Sequence, residues 1–341
     1  MKVLGMTPLS SIATSAYTDL VRLLKDDALS GVEGKPTLKT RGDKGYWYAA
    51  RRVGTETRFV YIGEDSAETR TRIDRIEELR ATAQTRQAER ARLVRLLRAE
   101  GMTPTDRATG AILSAMAAAG VFRLGGTIVG TNAFRLYEGE LGIRLPLGGM
   151  ANTGDIDIAQ FEKLSIALED QVDPGLAETF SALKFDPLPA LDARRTWRWA
   201  QGGSGQLVEF LTPAFGEESL RDLPALGVSA QGLNYLNFLI AEPIPAAALY
   251  RAGVLVQVPR PERYAIHKLI VADRRRDGAG SLRAVKDREQ AAFLIEAMAE
   301  DRPDDLSRAL EIARGIGPRW RERLEASLAR MPETRALLAG L

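Results

Sequence analysis

Thr153-Gly154-Asp155-Ile156-Asp157-Ile158 is the stretch from which the fold of this 341-residue chain is read. Two carboxylates sit two residues apart inside a short apolar run. Such a run reads as a buried strand, and strand side chains alternate faces, so Asp155 and Asp157 point to the same side. Two like charges placed together repel unless a cation joins them, and all-oxygen sets suit Mg²⁺ or Mn²⁺. One reading is half of a two-metal phosphoryl-transfer site. The other is a strand end carrying two solvated aspartates.

A second apolar run lies downstream, Gln206-Leu207-Val208-Glu209-Phe210-Leu211-Thr212-Pro213, with one carboxylate in its middle. Glu209 is either a third acidic group of the same site or a surface-facing glutamate on an edge strand. Upstream, residues 105 to 119 read as a helix with Thr105 as its N-cap and Gly120 at its end. A strand over 126 to 129, a turn at Gly130-Thr131 and a helix from about Asn132 follow. A glycine and a hydroxyl at a strand-to-helix turn let backbone N–H groups approach phosphate oxygens, although ordinary turns use the same residues. Gly125-Gly126 is a second such candidate.

Between the strands, Arg194, Arg195, Trp197, Arg198 and Trp199 form a basic-aromatic cluster that either packs or holds a ligand. Gly202-Gly203-Ser204-Gly205 is a flexible turn without the lysine of a Walker A loop. Further on, residues 253 to 258 read as a strand. Pro259-Arg260-Pro261 then breaks the chain before a helix over 262 to 276, which contains Tyr264, His267 and Lys268. A second helix opens at Lys286-Asp287. Residues 302 to 341 read as two more charged helices.

The order helix, strand, Gly-Thr turn, helix, Asp-x-Asp strand resembles the DNA-polymerase-β-like nucleotidyltransferase superfamily. More narrowly, the chain resembles a poorly characterised bacterial family of that fold. That family shows a Val-Gly-Thr-x-Ala-Phe turn, a Thr-x-Asp-Ile-Asp strand and a strand ending Leu-Thr-Pro, matched here at 129 to 134, 153 to 157 and 211 to 213. Two departures stand out. The segment between the turn and Asp155 is longer than in compact members, so 136 to 152 holds an insertion. The third carboxylate of the superfamily is usually Asp, and Glu209 is one methylene longer.

The resemblance implies an α+β fold: a mixed-sheet nucleotidyltransferase core with an N-terminal hairpin and long-helix module and a C-terminal helical subdomain. The expected divisions are 1–100, 101–225 and 226–341. It implies transfer of a nucleoside monophosphate from ATP or another NTP, with Mg²⁺ or Mn²⁺ held by Asp155, Asp157 and Glu209. Gly130 and Thr131 are expected on the phosphates. Lys268, with Lys286 second, is expected to reach the triphosphate; for both, an ordinary solvated lysine is the competing reading. The acceptor is an RNA end, a protein or a small molecule. The alternative is an inactive member of the fold that binds nucleic acid or a partner.

The N-terminal hundred residues lean toward a macromolecular acceptor. Aromatic and β-branched runs over 45 to 63 read as a β-hairpin, flanked by Lys39, Arg41, Lys44, Arg51, Arg52 and Arg58. Such interleaving either stacks on bases or packs on protein. Residues 66 to 99 read as one long arginine-rich helix linking two domains.

Composition sets the outer limits. Charged residues make up 27% and the net charge is +2, so no global basic field steers the chain to nucleic acid. There is no cysteine, which excludes disulfides, thiolate zinc sites and a cysteine nucleophile, and suits a reducing cytoplasm. The single histidine, His267, excludes a metal site needing two. No run of about 18 apolar residues is present, so no membrane span is expected, and no signal peptide is expected at the N-terminus. Oligomeric state is not legible.

Overall fold

The computed structural model describes residues 6–31, 34–41, 43–53, 56–145, 154–168, 170–190, 192, 194–203, 205–277 and 280–341. Thr153 and Ser204, and most of the expected insertion's second half, lie outside them.

The chain opens with helix α1 (Ser11–Ser30), capped by the Ser10 hydroxyl, which accepts the Ala13 N–H. Strands β1 (Lys35–Arg41), β2 (Lys44–Val53) and β3 (Glu56–Glu64) then form an antiparallel sheet in that order. The hairpin is therefore β2–β3, and β1 adds a third strand. Its one large aliphatic residue, Leu38, is exposed, so β1 has no apolar alternation to read and is held by its ladder to β2 from Lys35↔Ala50 to Arg41↔Lys44.

The long arginine-rich helix is three pieces, α2 (Ala67–Asp74), α3 (Ile76–Ala81) and α4 (Ala83–Ala99). Arg75 and Thr82 leave helical geometry at the joints, with φ near −100°. The bends bring Ile76 and Leu79 against Leu29, and Leu93, Val94 and Leu97 against the apolar face of α1. Many of the arginines fasten this packing instead of lining a free face. Arg72 pairs with Asp26, and Arg86 and Arg90 both pair with Asp27.

Helix α5 (Arg107–Ala119) is capped by Asp106, not by Thr105: the Asp106 carboxylate accepts the Thr109 N–H at 2.9 Å. Strand β4 (Thr127–Val129) runs straight into α6 (Gly130–Leu141), so the Gly-Thr turn is the first turn of that helix. Strand β5 (Asp155–Ala159), helices α7 (Glu162–Ala167) and α8 (Leu176–Ala182), and strands β6 (Phe185–Pro187), β7 (Arg198–Gln201) and β8 (Leu207–Ala214) follow. Strands β9 (Leu220–Leu223) and β10 (Val228–Asn234) complete a seven-stranded mixed sheet. Its spine runs β4-β5-β8-β10-β9, with β5, β8 and β10 parallel and the ends antiparallel. Along one edge β8 pairs first with β7 and then with β10.

After the short helix α9 (Leu236–Leu239) comes the hairpin β11 (Ile244–Ala248) and β12 (Val254–Val258). Its Ala247 joins Tyr17, Leu20 and Leu24 of α1 in one apolar cluster. Helices α10 (Pro261–Arg274), α11 (Ser281–Ala299), α12 (Pro303–Ile316), α13 (Pro318–Leu328) and α14 (Pro332–Ala339) close the chain. Four of these five start with proline at the first turn, where no intrahelical N–H bond is lost. The main core joins the sheet to these helices through Phe134, Phe210, Ile270 and Leu294. None of the described helices is long and apolar enough to cross a membrane.

Candidate functional site

Alternation along β5 sends Ile156 and Ile158 into the core, 1% and 0% exposed, and turns Asp155 and Asp157 to the other face. The parallel register sets Asp157 opposite Glu209 and Asp155 opposite Leu207, so the three carboxylates share that face. Asp157 is pushed up to about 7 by burial first, then by the Glu209 and Asp155 charges. Glu209 is also raised: burial dominates, and the Arg198 guanidinium 3.9 Å away only partly offsets it.

The face opens on a cleft of about 540 Å³. Gly130 and Thr131 line it at the start of α6, where backbone N–H groups lack helical partners and the helix dipole favours anions. Gly130 has φ +66°, and a Cβ there would overlap the Asp157 carboxylate. Only glycine serves at this step from β4 into α6. The turn is pinned on both sides. The Asn132 amide donates to the Asp155 carbonyl at 2.6 Å, and the Tyr264 hydroxyl donates to the Gly130 carbonyl at 2.8 Å.

The opposite wall is helix α10 and the start of α11. Lys268 Nζ lies 2.5 Å from Asp287, whose other oxygen receives Arg275 at 2.9 Å. Burial alone would raise Asp287, but the Lys268 and Arg275 charges overcome it and hold the carboxyl below its usual range. Lys286 also lines the cleft, and burial and the Lys268 charge lower its pKa.

Six of the seven expected site residues, Gly130, Thr131, Asp155, Asp157, Lys268 and Lys286, therefore line one cleft. Glu209 stands beside Asp157 but outside that lining, against Arg198. Among the described residues no three acidic or histidine side chains are gathered closely enough to hold a metal ion. The donor chemistry still fits a hard divalent cation at Asp155 and Asp157: two carboxylates share a face, and one is held above its normal pKa by burial and then by the Glu209 and Asp155 charges.

Gly125-Gly126 forms a tight turn before β4 and does not line the cleft; Gly126 is pressed against Val121. In the basic-aromatic cluster Trp199 is core, packed on Phe180 and Phe210. Arg198 stacks on Trp197 at 4.4 Å and faces Glu209. The sequence reading placed Tyr264, Arg275 and Asp287 on these two helices but gave them no role in the site. For Tyr264 and Arg275 the available signal was the spacing 264, 268, 275, which puts them on one edge of the helix with Lys268.

The sequence model of a family described as "Nucleotidyltransferase" matches residues 107–314. The chain belongs to this nucleotidyltransferase family. The match takes in every element that lines the cleft. A second family, described as a domain of unknown function (DUF6788), matches residues 17–71, which run from α1 into α2. No curated protein matches the chain. A solved structure described as an antigenic nucleotidyltransferase-like protein from Paracoccidioides brasiliensis is similar at 16% identity, covering 66% of this chain and 95% of the other, with a TM-score of 0.32.

Proposed function

We propose that this member of the nucleotidyltransferase family transfers a nucleoside monophosphate from an NTP to an acceptor hydroxyl, with Asp155, Asp157 and Glu209 as the carboxylate set. One observation carries the reading. The strand register brings two aspartates onto the same cleft as the Gly130-Thr131 helix start and a cationic wall. Acidic metal ligands, an anion-binding helix start and ammonium groups are what a Mg²⁺-triphosphate needs from a protein.

In this proposal Asp155 and Asp157 would hold a divalent cation, Mg²⁺ or Mn²⁺, with Glu209 as the third carboxylate. When bound, the cation supplies charge neutralisation on the triphosphate and acidifies the attacking hydroxyl. The protein's own groups do the rest. The first N–H groups of α6 and the Thr131 hydroxyl bind phosphate oxygens. Lys268 meets the departing pyrophosphate, and Asp287 fixes its ammonium in place. Lys286 adds a second positive charge. Glu209 accepts the proton of the acceptor hydroxyl; a raised pKa makes it a stronger base than an ordinary carboxylate.

The test is label transfer. Each α-labelled NTP is incubated with the protein, Mg²⁺ or Mn²⁺, and total RNA and protein as acceptors. The expected result is label on one acceptor class, lost in an Asp155→Ala/Asp157→Ala variant. Label in the variant equal to wild type would refute the carboxylate assignment.

A further inference from the structure

Helix α10 presents two edges to the cleft. Tyr264, Lys268 and Arg275 lie on one, bonded to Gly130, Asp287 and Gln290. Three residues earlier or later, His267, Val271 and Arg274 lie on the other. This second edge turns toward β10 and α9: Arg274 donates to the Asn234 carbonyl, and Arg263, one turn before His267, stacks on Phe238. Leu233, Leu236 and Leu239 line the cleft with it. The cleft thus has a charged side around the aspartates and an apolar side against α9.

Three polar side chains stand on the apolar side, and one of them, Arg274, is taken up by Glu218 and the Asn234 carbonyl. The Asn234 amide is occupied, accepting the Gly216 N–H and donating to the Gly216 carbonyl. His267 is different. The residue is 9% exposed and is not among those with a fully buried, unpartnered polar atom, so its ring nitrogens stay open to the cleft. Its ring lines the cleft. A ring nitrogen open to a cleft is bonded to water, which a ligand group of matching polarity can replace. Burial, then the neighbouring Lys268 charge, pushes its pKa down to about 3. The ring is therefore neutral at physiological pH, one nitrogen donating and the other accepting.

We propose that the apolar side of the cleft is the nucleobase subsite and that His267 is the residue that hydrogen-bonds the edge of the base. A flat heteroaromatic ring with alternating donors and acceptors suits an apolar slot holding one donor–acceptor side chain. The phosphates would then lie toward Gly130 and Lys268, so base and triphosphate occupy the two sides together. This rests on the NTP reading above and adds a means of base selection to it.

His267 is the only histidine, so its imidazole ¹⁵N signals are unambiguous. They are followed while the wild-type protein with Mg²⁺ is titrated with each NTP and, separately, with inorganic tripolyphosphate. The expected result is a shift with the preferred NTP and none with tripolyphosphate. In parallel, His267→Leu should lose about tenfold in affinity for that NTP and keep wild-type affinity for tripolyphosphate. His267→Gln, which retains a donor and an acceptor, should recover part of the loss. Unfolding temperatures of the unliganded variants confirm that both fold, and the wild-type titration stands if either does not. NTP binding with unmoved imidazole signals and an unaffected His267→Leu would overturn the assignment of His267 and leave the nucleotide reading intact. Tripolyphosphate binding as well as any NTP would overturn the base subsite alone. Binding of neither ligand would overturn the nucleotide reading and this proposal with it.

Discussion

Asp157 is strongly perturbed by its surroundings. Burial and two neighbouring carboxylates hold its pKa near 7, against 3.8 in the unfolded chain. Between those values the folded state binds the extra proton, so the metal-free protein loses stability as pH rises from about 4 to 7. Asp157→Asn removes the charge. At pH 8 without divalent cation this variant should unfold at a higher temperature than wild type, by the equivalent of about 1–2 kcal/mol. Mg²⁺ should reverse the order by stabilising wild type alone, and a thermal scan in each condition checks both. His267 runs the opposite way. Its pKa is depressed from 6.5 to about 3, so the unfolded chain takes up the proton first. Stability is lost as pH falls below about 6.5, and in the folded protein the single imidazole should remain neutral at pH 5 by NMR. Both aspartates were legible in the sequence because period-two alternation puts residues 155 and 157 on one face. The role of His267 was not legible, because its place on the cleft depends on α9 and β10, which are remote in sequence from the motif.

At the scale of elements, the join between β4 and α6 decides whether the site forms. Gly130 takes φ +66° and approaches the Asp157 carboxylate so closely that no side chain fits. Gly130→Ala combines left-handed strain of about 1–2 kcal/mol with displacement of that carboxylate. The expected outcome is a Tm lower by several degrees and a larger proportional loss of Mg²⁺-NTP binding, read by thermal unfolding and calorimetry. Further along α6, Gly139 meets the ring of Tyr17 from α1, where an added Cβ would overlap the aromatic ring. Gly139→Ala should cost about 1–3 kcal/mol by overpacking, measured by denaturant unfolding. Strong apolar runs and turn residues showed β5, β8 and α10 to within a residue or two. The bends at Arg75 and Thr82 were not visible, since no Pro or Gly marks them and packing on α1 imposes them. Strand β1, with its polar sequence and exposed Leu38, is defined by its partner strand alone.

At the scale of the molecule, the segment matched as a domain of unknown function is tied into the family's own region. Helix α1 shares an apolar cluster with Ala247 and Leu249, and the Tyr17 hydroxyl accepts the Ala247 N–H at 3.1 Å. Arg123 bonds both Asp170 and the Tyr61 carbonyl, linking α5's flank to β3. Removing residues 1–34 would expose Leu93, Val94 and Ala247 together. A truncated chain should therefore aggregate or unfold well below the full chain's Tm, as light scattering and thermal unfolding would show. The sequence pointed to the core's order of elements but not to this clasp, which pairs residues more than 200 positions apart. The function of the molecule turns on whether the cleft takes a nucleotide through a cation held by Asp155 and Asp157. Calorimetric titration of NTP into the wild-type protein and an Asp155→Asn/Asp157→Asn variant, each with Mg²⁺ and with EDTA, asks this directly. The prediction is binding by wild type only with Mg²⁺ and none by the variant. Equal NTP binding with and without the cation, or by protein and variant alike, would contradict it.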